Sequence, residues 1–106
     1  MKNGYFQEHW NDENGNPAGG TSSGRGFTIS WQNGPLGRGN ERKEPNGAFV
    51  EDVIDAVIAR IEFYQASGFA CQENKDALDS LREAATFLDR RTKAREDRGV
   101  EGTHEK

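Results

Sequence analysis

The chain has 106 residues, 32% hydrophobic and 30% charged, with a formal net charge of −4. That length suits one small domain with a thin core, so association between copies is expected. One cysteine excludes an internal disulfide framework and a cysteine-rich zinc site, two histidines leave little for a histidine-based centre, and the acidic balance argues against nonspecific DNA binding. No apolar run approaches the ~18 residues of a membrane span. Met1-Lys2-Asn3-Gly4-Tyr5 lacks the apolar stretch of a secretory leader, so a soluble, reducing compartment is expected.

The first fifty residues hold ten of the 13 glycines, all three prolines and seven asparagines, a composition of turns and short strands. Their charges balance. Phe27 to Gln32 alternates apolar and polar side chains and predicts a strand with one buried face. Tyr5 to Trp10 is a weaker strand candidate. Between them, Asn14-Gly15-Asn16-Pro17 and Gly19-Gly20 read as a loop or wide hairpin. Residues 1–33 are therefore expected to form a small antiparallel sheet.

The second half reads as two helices. Phe49, Val50, Val53, Ile54, Val57, Ile58 and Ile61 recur at three- and four-residue spacings and predict a helix over about 47–66. Asn46 is the expected N-cap, and Gly68 the expected left-handed terminator. Leu78, Leu81, Ala84, Ala85 and Leu88 predict a second helix from near Gln72–Asn74 to Arg98, stopped by Gly99. A short connection makes the pair an antiparallel helical hairpin. The fold class is α+β: a small N-terminal antiparallel β-sheet followed by a long helical hairpin that oligomerises. One domain over residues 1–106 is expected, with a β/loop region over 1–46, the hairpin over 47–99 and a polar tail over 100–106 that is frayed or captured by a partner.

The second helix is expected to overhang the first by about two turns. Residues 90–98 carry five basic and two acidic side chains, whereas 51–89 carry three basic and nine acidic. Arg91 and Arg95 lie four apart on one helix face and can grip a diphosphate by paired charge-assisted hydrogen bonds. The plain alternative is that basic residues complement a helix C-terminus. Gly34 to Asn40 is a glycine-rich loop containing Arg38, which can bring backbone amides to a phosphate, although it matches no nucleotide-binding fingerprint and a plain turn explains it too.

Phe63, Tyr64 and Phe69 flank the turn between the helices; one can stack on a nucleobase, and at least one of them is expected to close the hairpin core. Asn74 is placed to cap the second helix or to bond a base edge. The acidic residues form no recognisable acid–base pair, no nucleophile has a base at a telling spacing, and Cys71 reads as a small buried filler. The chain reads as a binding protein and not an enzyme.

Three stretches carry a family resemblance: Trp31 to Arg38, Glu44 to Glu51, and Arg91 to Arg95 leading into Arg98 to His104. Together they resemble the type-one Thoeris anti-defence proteins of phages and prophages, over essentially the whole chain. The hairpin alone also resembles phage anti-CBASS cyclic-nucleotide sponges. The resemblance implies no chemistry on the ligand and no cofactor. It implies sequestration of glycocyclic ADP-ribose, the signal that bacterial TIR enzymes make from NAD, in the cytoplasm of the infected host. It also implies hairpin dimers, often assembled into a hexamer, with pockets between protomers, and in some members a separate site for CBASS cyclic di- or trinucleotides. On this sequence the family's phosphate-gripping arginines fall on Arg91 and Arg95, its loop arginine on Arg38, its polar base contact on Asn74, and its stacking aromatic on Phe63, with Tyr64 the adjacent alternative. No membrane or nucleic-acid partner is implied. The rival reading is a small nucleic-acid-binding regulator that uses the basic end of the second helix.

Overall fold

A computed structural model describes residues 5–106. Met1 to Gly4, read above as lacking a leader, lie outside the described residues. The chain divides into two compact units, one built from residues up to 49 together with 99–106, the other from Val50–Arg98.

The first unit holds a three-stranded antiparallel sheet in the order β1 (Phe6–Asn11), β2 (Pro17–Gly24), β3 (Phe27–Trp31). Phe6 pairs with Ser23 and Gly24 with Phe27, and the β1–β2 register shifts between His9 and Asn11. The two outer strands match the sequence expectation. The central strand does not: Asn14 to Pro17 and Gly19-Gly20 were expected in a loop or wide hairpin, and Pro-Ala-Gly-Gly-Thr-Ser-Ser-Gly has little intrinsic strand preference. Its small side chains are what the neighbours require. A Cβ on Gly19 would lie 3.2 Å from the Trp10 ring, and one on Gly24 would lie 2.6 Å from the Phe27 ring. Ser22, 6% exposed, receives a 2.7 Å hydrogen bond from Trp31 Nε1 and donates one of 2.6 Å to Gln7 Oε1. All three strands thus meet at one buried hydroxyl.

Residues 46–48 return alongside β3. Ala48 N donates to Ser30 O at 2.8 Å, and Gln32 N to Ala48 O at 3.0 Å. Gly47 makes this approach possible, since a Cβ there would sit 2.6 Å from the Trp31 carbonyl carbon. Asn46 was expected to cap the first helix. Instead its side chain accepts from Asn33 N (2.8 Å) and donates to Asn33 O (3.0 Å), while its own N–H donates to Gln32 Oε1 (2.9 Å). The helix begins four residues later.

The C-terminal segment, expected to be frayed or held by a partner, folds back within the first unit. Gly37 N donates to Gly102 O at 2.9 Å, and Arg42 pairs with the Glu101 carboxylate at 2.8 Å. His104 lies 3.3 Å from Asn16 Nδ2 and 3.8 Å from the Asp12 carboxylate.

The second unit is the antiparallel hairpin of α1 (Val50–Gln65) and α2 (Gln72–Asp97). Val53, Ile54, Ile58 and Ile61 on α1 are half-buried, as are Ala77, Leu81, Ala84, Ala85 and Leu88 on α2. Leu78, 5% exposed, is the one buried hydrophobic side chain among the described residues. Glu62 and Arg82 tie the helices at 2.7 Å. Gly68 does not take the left-handed conformation expected of it. The turn is closed instead by Gln65, whose Oε1 accepts from Cys71 N (2.9 Å) and whose Nε2 donates to Cys71 O (3.1 Å). Cys71, expected to be buried, is exposed at the N-cap of α2, so Asn74 lies inside the first turn and not at the cap. Gly99, with φ +74°, follows α2 as expected. Among the described residues no helix is long and apolar enough to cross a membrane.

Candidate functional site

The hairpin presents two chemically different ends. At the turn end, Phe63 is 62% exposed, Tyr64 39% and Phe69 82%. They do not close a core. The Phe63 and Tyr64 ring centroids are 6.1 Å apart and tilted by 57°. The Arg60 guanidinium lies 5.1 Å from the first centroid and 5.0 Å from the second, and its Nε donates to Tyr64 Oη at 3.1 Å. Arg60, Phe63 and Tyr64 share one face because residues three and four apart on a helix are neighbours. That spacing was visible in the sequence; the significance of Arg60 was not drawn from it. Asn74 lies at the same end, half-buried in the first turn of α2.

The other end is basic. With 26 residues against 16, α2 outruns α1 by ten. The extension carries Arg91, exposed, and Arg95, half-buried, one turn apart on one face. Arg90 sits over the ring of Phe87 at 5.5 Å, and Phe87 is an exposed aromatic of this end that the sequence did not single out. Just inside the extension, Glu51 and Asp55 of α1 face Ala85, Thr86, Asp89 and Thr92 of α2 across an open groove of about 440 Å³. Three carboxylates line it, which makes this concavity a poor receptor for a phosphate.

The expected binding residues therefore fall into three places. Phe63 and Asn74 share the turn end of the hairpin, and Arg91 and Arg95 share the far end of α2. From Asn74 to Arg91 the helix rise is roughly 25 Å, so a single hairpin does not bring the two pairs together. Arg38 belongs to the first unit, where its Nη1 donates to Glu101 O at 2.7 Å and lies 4.0 Å from the Glu101 carboxylate. Glu101 is the residue that sequence reasoning missed here; sixty-odd positions separate the partners, and no local spacing signals the contact.

Residues 25–93 match the family described as Acb2/Tad1, hairpin domain. The chain belongs to the Acb2/Tad1 hairpin family. The match includes Arg38, Phe63, Asn74 and Arg91, and Arg95 lies two residues beyond it. The chain is also 44% identical, over 84 residues, to the protein named Thoeris anti-defense 1 of Bacillus phage SBSphiJ7. That alignment takes in 79% of this chain and 56% of the phage protein, so the chain spans little more than half the length of this relative. Membership in the Acb2/Tad1 family accords with the α+β architecture and with a hairpin that exposes its aromatic side chains.

Proposed function

We propose that the chain is a phage anti-defence sponge. It binds glycocyclic ADP-ribose, holds it without degrading it, and so blocks Thoeris immunity in the cytoplasm of the infected bacterium. The observation that carries this reading is the family match together with the 44% identity to a protein named for anti-Thoeris defence.

The geometry supports binding over catalysis. A cyclic ADP-ribose derivative presents an adenine and a diphosphate, which need different partners. An exposed aromatic offers the base a flat apolar face with few rotatable bonds to freeze. Arg91 and Arg95, one turn apart, offer the diphosphate paired charged hydrogen bonds. Because those groups stand at opposite ends of one hairpin, the pocket is completed by an antiparallel partner whose Arg91 and Arg95 come beside this chain's Phe63 and Asn74. The exposed apolar side chains Val57, Phe63, Phe69 and Phe87 supply the contact surface for that partner, and the dimers assemble further into a hexamer. Arg38 is a further contact from the loop.

The test is retention. The protein is incubated with glycocyclic ADP-ribose, re-purified and heat-denatured, and the released small molecule is identified by mass spectrometry. Intact ligand is expected. Cleaved ligand would refute the sponge, and an empty protein would refute the ligand class. A parallel arm offers cyclic di- and trinucleotides; their capture alongside glycocyclic ADP-ribose assigns them a separate site.

A further inference from the structure

Beside its aromatic side chains the turn end carries a cation, Arg60. Its guanidinium rests against the Phe63 and Tyr64 rings, and its Nε is bonded to Tyr64 Oη. Among the described residues it has no carboxylate partner. Three acidic side chains of that end are engaged elsewhere: Glu62 pairs with Arg82 at 2.7 Å, Asp79 with Lys75 at 3.1 Å, and Asp76 accepts from Gln72 at 2.8 Å; the fourth, Glu73, makes no ion pair with Arg60. Arg60 is thus a cation held in place by aromatic faces, with its remaining N–H groups unspent on any carboxylate. An arginine so placed binds in two ways. It donates to a phosphate oxygen through its edge, and it extends the flat surface on which a base stacks through its plane.

We propose that Arg60 is a ligand contact, forming with Phe63 and Tyr64 a clamp that takes a nucleotide by its base plane and its phosphate together. The proposal rests on the reading that a nucleotide base stacks at the turn end, and adds the anion-binding group of that end. It holds whichever of the two rings carries the base, since Arg60 touches both. It also gives the turn end a preference that Phe63 alone lacks. A bare aromatic face accepts any planar apolar group, whereas a face edged by an uncompensated guanidinium favours a planar group tethered to an anion.

Calorimetry with glycocyclic ADP-ribose on the full chain, at low and high salt, tests this. Arg60→Ala and Arg60→Lys are compared with wild type, with Phe63→Ala, Tyr64→Ala and Arg91→Ala alongside. Arg60→Ala is expected to weaken binding about 10-fold and to flatten its salt dependence, because one charged contact to the phosphate is lost. Arg60→Lys is expected to restore the salt dependence and only part of the affinity, since an ammonium carries the charge but not the plane. Helix content and melting temperature are expected to match wild type, because Arg60 is exposed. Wild-type affinity in Arg60→Ala, with binding lost in an aromatic variant, overturns the proposal and leaves the stacking reading standing. Lost affinity with unchanged salt dependence also overturns it, for Arg60 would then only support the rings. Unchanged affinity in every variant removes the stacking reading and the proposal with it.

Discussion

If each pocket takes its aromatic from one chain and its arginines from another, two inactive variants should rescue each other. Phe63→Ala removes the stacking face and Arg91→Ala half of the arginine pair. A charged hydrogen bond contributes about 1.5–3 kcal/mol, so Arg91→Ala alone should weaken binding about 10- to 100-fold. In a two-fold symmetric dimer that contains one subunit of each variant, one pocket collects both defects and the other collects neither. Random exchange of equal amounts makes half of the dimers mixed, so about a quarter of all pockets should regain wild-type affinity. The assay is calorimetry on the equilibrated mixture. Native mass spectrometry on subunits with tags of different mass confirms that exchange has occurred. The stoichiometry of tight sites should rise from near zero for either variant to about a quarter of the wild-type value. Complete exchange with no recovered sites would refute the cross-subunit pocket. So would light scattering that shows a stable monomer at micromolar concentration. The helix rise of roughly 25 Å from Asn74 to Arg91 is too far for one hairpin to hold both parts of a small nucleotide.

Three further outcomes follow from the fold. Gly47→Ala should destabilise the first unit by about 1–3 kcal/mol in urea titrations, because its Cβ would enter the backbone of Trp31 and Gln32 at 2.6 and 2.7 Å; unchanged stability would show that the 46–48 segment shifts freely. Leu78→Ala should cost about 2–5 kcal/mol, as expected for the buried hydrophobic side chain of the hairpin, and a loss below that range would mean that the hairpin collapses readily around the gap. The Asp12 carboxyl is held below its ordinary value of 3.8, first by the Asn16 backbone N–H and also by that of Asn14. Its contribution is therefore present above pH 3.8 and is lost as the pH falls through the lower folded value. Asp12→Ala should accordingly be less stable than wild type at neutral pH, with the difference shrinking in acid; a difference independent of pH would contradict this.

The helices were legible in the sequence because apolar side chains recur at helical spacing over two long segments, and α2 was placed to within a residue at each end. The ends of α1 were harder. Asn46 has the chemistry of a cap, but Asn33 and Gln32 lie in reach through the β3 bridge and take all of its polar groups. Gly68 looked like a terminator, yet the Gln65 side chain already bonds both backbone groups of Cys71, so the turn needs no left-handed residue. The middle strand β2 was hidden for a different reason. Strand preference is read from large branched and aromatic side chains, whereas this strand exists to leave room for such side chains on its neighbours.

Much of what made the family recognisable serves the scaffold. The stretch from Trp31 bonds to the stretch containing Asn46 through the Gln32–Asn33–Asn46 network, and the segment after Arg98 bonds back to Gly37 and Arg38 through Gly102 and Glu101. The proposed ligand contacts obey a looser grammar. Phe63, Asn74, Arg91 and Arg95 are separated along the hairpin, their neighbours are ordinary helix formers, and in one chain they face no common pocket. Phe63 and Arg91 are exposed, and Asn74 and Arg95 are half-buried. The length of α2 relative to α1 shows that the basic end outruns its own partner helix, and the exposure of Phe63, Tyr64 and Phe69 shows that the aromatic end is uncovered in the hairpin. In the proposed assembly a second copy, turned end for end, brings its basic end beside this chain's aromatic end.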